Sequence, residues 1–175
     1  MSLIRTCMAA GRRYFWIAAG LALATDQVTK VILWRRPAPG RGATTLIPGL
    51  LRIIPHSGNR GGAMGLPGGP TFYAFAALLG LGLIALFFLT TSSQKGLVHA
   101  ALGLLAGGAI GNLIDRLALG YVRDFVDLHW RGAYHWPTFN LADTAICVGF
   151  VLILWDFLFG PGTEYPQEAG GEERA

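Results

Sequence analysis

Charge is scarce in this chain. Asp, Glu, Lys and Arg make up 14% of its residues, against about 25% in ordinary soluble domains. With 53% hydrophobic residues and a mean hydropathy of +0.46, the deficit points to a bilayer. The net charge of +4 is spread thinly, with no run of four basic residues. A nucleic-acid partner is therefore not expected, and the basic residues read as juxtamembrane anchors. Cysteine is scarce too. Cys7 and Cys147 form neither a CxxC pair nor a Cys/His cluster, so no zinc site or disulfide framework is suggested. Cys147 lies in an apolar run and reads as a small packing residue. No metal and no cofactor is expected, and no Ser/His or Ser/Lys pair is placed in the apolar segments.

What the chain does hold is four apolar stretches, at about residues 14–34, 71–90, 97–117 and 141–160. Each is near the ~20 residues a helix needs to cross the hydrocarbon core. A rival reading takes Arg12-Arg13 and the apolar run to Ala24 as a cleavable signal peptide. Three further spans follow, however, and Asp26 and Lys30 find a better use below. Residues 35–70 are different in kind, rich in Gly, Pro and Arg. Short β-type runs (Thr44–Ile47 and Leu50–Ile54) are punctuated by Pro48-Gly49 and Ser57-Gly58-Asn59, which predicts a small extramembrane β-lobe. A second loop, residues 118–140, carries interfacial aromatics, among them Trp130, Tyr134 and Trp136. The tail at 162–175, with four glutamates and three glycines, is expected to be disordered. The fold class is thus an all-α membrane protein, four transmembrane helices with a β-cradle between the first two, in a single domain over 1–175. In the third helix Gly103, Gly107 and Gly111 recur every four residues, a ridge on which another backbone can approach closely. Gly108 adds a small residue beside it.

Ionisable groups in spanning segments are costly and are functional candidates by default. Asp26 and Lys30 share a face of the first helix. Asn112, Asp115 and Arg116 lie at the end of the third. Asp124 and Asp127 follow in the loop, and Asn140 and Asp143 open the fourth helix. Connectivity brings Asp26, Lys30, Asn112, Asp115, Arg116, Asp124, Asn140 and Asp143 to one surface, while Asp156 is left at the other without a role. Two carboxylates close together share a proton, so one can take a proton from water while the other hydrogen-bonds a scissile carbonyl. Each residue also has a plainer reading. Asp26–Lys30 can be a satisfied pair, Asp115–Arg116 a loop anchor and an interfacial cation. Asn140 can be only an N-cap, and Asp143 a first-turn acid favoured by the helix dipole. Spacing alone leaves Asp115, Asp124 and Asp127 all open as the partner of Asp143.

Five blocks in order, Asp26–Lys30, Asn59–Gly65, Gly107–Arg116, Gly120–Asp127 and Phe139–Ile146, resemble the motifs of the lipoprotein signal peptidases, signal peptidase II. The resemblance implies an aspartic endopeptidase of the bacterial cytoplasmic membrane, sensitive to the cyclic peptide globomycin. It implies substrates that are prolipoproteins with a diacylglyceryl-modified cysteine, cut on that cysteine's amino side. The catalytic pair would be Asp124 and Asp143. Asn59, Asn112, Arg116 and Asn140 would line the substrate site, with Asp26, Lys30 and Asp115 in support. Both termini would be cytoplasmic and the site near the outer surface, with membrane lipids around a monomer. The positive-inside count votes otherwise, since the first loop holds Arg35, Arg36, Arg41, Arg52 and Arg60; these can meet anionic headgroups. Arg123 stands where the family more often has an apolar residue, and is expected to face solvent. Arg60-Gly61-Gly62 is a further variation. A small proton-coupled transporter, with Asp26 and Lys30 as a relay, is the alternative from another class. An assembly protein whose polar residues only orient helices is a third.

Overall fold

The computed structural model describes residues 2–34, 42–59, 69–91, 95–130 and 134–160. The loop motif from Arg60 to Gly65 and the tail from 162 lie outside them. The chain forms α1 (Ser2–Trp34), β1 (Thr44–Ile47), β2 (Leu51–Asn59), α2 (Pro70–Thr90), α3 (Gly96–Leu119), β3 (Val122–Trp130), β4 (Tyr134–His135) and α4 (Leu141–Phe159). All four helices are long and apolar enough to cross a membrane, α1 over Gly11–Leu33. The sides of α2 and α4 bear exposed Phe, Leu and Val residues, as lipid-facing helices must. Cys147 is among these exposed residues, which corrects its reading as a packed residue: it faces outward from α4.

Helix α3 is the central element, and the glycines decide how. A methyl group on Gly107 would stand 2.5 Å from the Ala19 carbonyl oxygen of α1, and Gly103 meets α1 at Phe15 and Ala18. Gly111 comes so close to Asp26 that a Cβ would lie 2.5 Å from its carboxylate. Gly108 is turned to α4 instead, where a Cβ would lie 2.5 Å from the Ala142 carbonyl oxygen; Gly149 of α4 answers it against Ala101 and Leu105. Without a hydrophobic driving force between helices in lipid, such close backbone packing is a main source of association. Phe15 and Ala22, inside the run that the leader reading assigns to a signal peptide, are buried, and α1 packs along α3 through them.

The sheet is larger than the residues between α1 and α2 can make. Its order is β1-β2-β3-β4, all antiparallel, so the loop between α3 and α4 supplies half of its strands. Val122, Arg123, Asp124, Phe125, Val126 and Asp127 give no apolar-polar alternation, which hides this strand in the sequence. The ladder runs from Leu51↔Leu128 to Asn59↔Val122, with an irregularity between Ile53 and Ser57. That pairing places the end of β2 beside the start of β3, where the chain has just left α3.

Candidate active site

Two local devices deliver the polar residues to one place. Gly120 ends α3 in a left-handed conformation (φ 76°) and its N–H bonds the Arg116 carbonyl at 3.0 Å. Glycine adopts that conformation without steric cost. The chain reverses there, so Arg123 and Asp124 of β3 come back alongside Asn112, Asp115 and Arg116. Asn140 then opens α4 with a reciprocal capping box: its side-chain oxygen accepts from the Asp143 N–H at 3.0 Å, and its own N–H donates to Asp143 Oδ2 at 3.1 Å. This is the usual logic of a helix start, with an aspartate in the third position.

Beneath the surface lies a buried charged layer. Lys30 Nζ reaches Asp26 Oδ2 at 2.8 Å, Asn112 Oδ1 at 3.1 Å and Asp115 Oδ2 at 3.3 Å, one acceptor for each of its three donors. Lys30, Asp26 and Asp115 are fully buried. Asp26 Oδ1 also accepts the Ala142 N–H at 3.0 Å, so α1 supplies part of the cap of α4. Asp115 takes the Arg123 backbone N–H at 2.9 Å and the Arg123 guanidinium at 2.6 Å. Arg123, only 12% exposed at its side chain, therefore points inward; the expectation that it faces solvent is corrected. An anion already buried in the bundle draws it in. Gln27, which the sequence did not single out beyond its place beside Asp26, donates to Asp26 and to the Gly111 carbonyl, and accepts from Arg123 Nη2 at 3.1 Å.

Above this layer sit Asp124 and Asp143. Asn112 Nδ2 donates to Asp143 Oδ1 at 2.8 Å, because its own oxygen is held by Lys30 and by Asn140 Nδ2 at 3.0 Å. Asn140 Nδ2 donates to Asp124 Oδ1 at 2.8 Å, and Asn59 Nδ2 to Asp124 Oδ2 at 2.9 Å. Asn140 thus touches both carboxylates and is more than a cap. Among the described residues no ion pair joins Asp124 or Asp143 to a cation. Burial pushes the Asp124 carboxyl up to about 7; the Asn59 hydrogen bond opposes that, the nearby Asp143 adds to it, and Asn140 and Lys30 oppose it.

The other two carboxylates that spacing left open have different surroundings. Asp115 is held in the buried ion pairs just described. Asp127, an odd number of residues from Asp124 on β3, faces the other side of the strand. It is bonded to Arg52 and lies 3.3 Å from His135 Nδ1. Burial raises its carboxyl, but the hydrogen bonds from Arg52 and His135 outweigh that and leave it below the usual range. Asp115 and Arg116 do not pair. Arg116 bonds the Asn112 carbonyl at 3.3 Å and lies over the Tyr73 ring of α2, 5.7 Å from its centre, within electrostatic reach of Asp143 and Asp124. Asp156 pairs with Lys95 at 2.9 Å at the opposite end of the bundle.

This chain is 40% identical over 145 residues to a lipoprotein signal peptidase of Geobacter sulfurreducens, covering 78% of this chain and 86% of that protein. It is 40% identical over 146 residues to one from Burkholderia mallei, covering 82% and 87%. A bacterial membrane enzyme solved by the in meso method at 2.3 Å superposes with a TM-score of 0.75 at 32% identity, over 88% of this chain and 93% of that one. A second such structure, at 1.9 Å, gives 0.72 over 84% and 94%. The family model described as signal peptidase (SPase) II matches residues 18–159, a span that contains the whole polar array, and this membrane protein belongs to the signal peptidase II family of peptidases.

Proposed function

We propose that this protein is an aspartic endopeptidase that removes the signal peptide from diacylglyceryl-modified prolipoproteins, cutting on the amino side of the lipidated cysteine. The observation that carries this reading is the Asn140 bridge. One residue bonds both Asp124 and Asp143, in an array that leaves neither with a cation partner among the described residues. Two carboxyls so arranged share one proton near neutral pH. Burial holds the Asp124 carboxyl up at about 7, so Asp124 holds the proton.

A water between the two carboxyls loses a proton to Asp143 as its oxygen attacks the scissile carbonyl carbon. Asp124 gives its proton to the carbonyl oxygen. The resulting tetrahedral gem-diol returns one hydroxyl proton to Asp124, the C–N bond breaks, and Asp143 hands its proton to the departing cysteine nitrogen. Both carboxyls then regain their starting states. The half-buried Arg116 is available to stabilise negative charge on the substrate side. The substrate brings an apolar signal helix and a lipid anchor, so it arrives by diffusion in the membrane plane. The sheet is suited to hold the extended peptide near the outer surface of a bacterial cytoplasmic membrane, with both termini cytoplasmic and the enzyme acting as a monomer.

The test is cleavage of a diacylglyceryl-modified prolipoprotein by protein purified in detergent, followed by gel shift. Asp124→Asn and Asp143→Asn are each expected to slow cleavage by roughly 10³-fold or more while remaining folded. Retained cleavage in Asp124→Asn alone would move the second carboxylate elsewhere. The transporter reading has little support: the polar residues gather at one end of the bundle, and the family match points to a peptidase.

A further inference from the structure

Arg123 directly precedes Asp124 and takes no part in the reaction proposed above, yet its guanidinium is bonded to two helices. Nε lies 3.1 and 3.2 Å from the two oxygens of Asp115 on α3, and Nη2 lies 2.6 Å from Oδ1. The same Nη2 donates to Gln27 Oε1 on α1 at 3.1 Å. Gln27 is itself fixed, because its amide nitrogen donates to Asp26 at 3.0 Å and to the Gly111 carbonyl at 3.2 Å; only its oxygen is left to face Arg123. The Arg123 carbonyl accepts from Asn140 Nδ2 at 3.4 Å, the nitrogen that also bonds Asp124. Neighbouring residues of a strand point to opposite faces, so a side chain anchored in the bundle at 123 sets where the carboxylate at 124 stands.

We propose that Arg123 is a positioning residue, whose guanidinium clamps β3 to α1 and α3 and so sets the Asp124 carboxylate against Asp143. This rests on the reading of those two aspartates as the reacting pair. Charge and geometry both enter. Asp26 and Asp115 are two buried anions, and Lys30 is shared between them; Arg123 is the second cation that balances the layer. A lysine at 123 can supply that charge, but as a point charge it cannot span Asp115 and Gln27 with a planar fork.

The experiment compares Arg123→Met, Arg123→Lys, Gln27→Leu and Arg123→Lys/Gln27→Leu with wild type, reading kcat, KM and the thermal midpoint in detergent. Displacing a reacting group by about 1 Å costs up to about 10²-fold in rate. Arg123→Met is thus expected to lower kcat by about 10- to 100-fold with KM within about twofold. Arg123→Lys should recover part of kcat, and Gln27→Leu should slow wild type by a larger factor than it slows Arg123→Lys. A folded Arg123→Met with wild-type kcat overturns the clamp, as does a loss confined to KM. If Arg123→Met does not fold, Arg123→Lys decides: wild-type kcat there overturns it. Asp124→Asn and Asp143→Asn are run beside these. If both are inactive while Arg123→Met is fully active, the clamp alone falls; if either cleaves normally, the reading of the pair falls and the clamp with it.

Discussion

Every polar atom of Asn140 has a partner. Its N–H and side-chain oxygen close the capping box with Asp143, its amide nitrogen bonds Asp124 and Asn112, and its carbonyl accepts from Thr144. A residue so completely used holds two carboxyls that each prefer water, and the cost of that arrangement falls on Asp124. Its pKa stands at about 7 against 3.8 for a free side chain, so it binds its proton more tightly when folded than when unfolded. Stability from this group is therefore full in acid and is lost as pH climbs from about 4 to about 7, by at most about 1.4 kcal/mol per pH unit. Asparagine carries no titrating proton. Thermal midpoints in detergent should fall less from pH 5 to pH 8 for Asp124→Asn than for wild type.

At the scale of the elements, α3 is held by the absence of side chains on two of its sides. The Gly103, Gly107, Gly111 ridge meets α1, and Gly108 meets α4, so both neighbours that carry site residues are set by glycine. Gly107→Leu should separate α1 from α3 and cost about 1–3 kcal/mol as overpacking does, or more if Lys30 is drawn from its acceptors. Gly82→Leu in α2, where nothing lies within 4 Å of the new Cβ, is the control and should leave the thermal midpoint unchanged. The helix ends matter as much. α4 is capped from within by Asn140 and from α1 by Asp26, so the start of the helix that bears Asp143 is fixed by its own cap and by one element distant in sequence.

For the molecule as a whole, the prediction concerns pH. A pair that works with one shared proton loses activity in acid, where both carboxyls are protonated, and in alkali, where both are ionised. The raised pKa of Asp124 puts the alkaline limb of kcat/KM near pH 7. The Asn59 hydrogen bond holds that value down, so Asn59→Ala should move the alkaline limb upward. A rate that is flat from pH 5 to 9 would contradict the shared proton. Asn59 comes from β2 and Asp124 from β3, across a sheet assembled from both loops, so this pH response depends on strand pairing as well as on the helices.

The four spans were legible in the sequence because apolar length is a local property, read without knowing any contact. Connectivity was equally local in its consequence: it brought Asp26, Lys30, Asn112, Asp115, Arg116, Asp124, Asn140 and Asp143 to one surface. The spacing of Asn140 and Asp143 carried the cap, and the motif blocks carried the family. What spacing could not choose was the surroundings of each aspartate. Asp115, Asp124 and Asp127 are alike as residues, and only the tertiary structure pairs the first with Lys30 and Arg123, the third with Arg52 and His135, and leaves the second to two amides. The inward turn of Arg123 belongs to the same class, since it answers a buried anion eight residues away in sequence and a glutamine ninety-six away. The sheet does as well: Asn59 meets Asp124 across sixty-five residues, and a register set over that distance leaves no periodicity in either strand for the sequence to display.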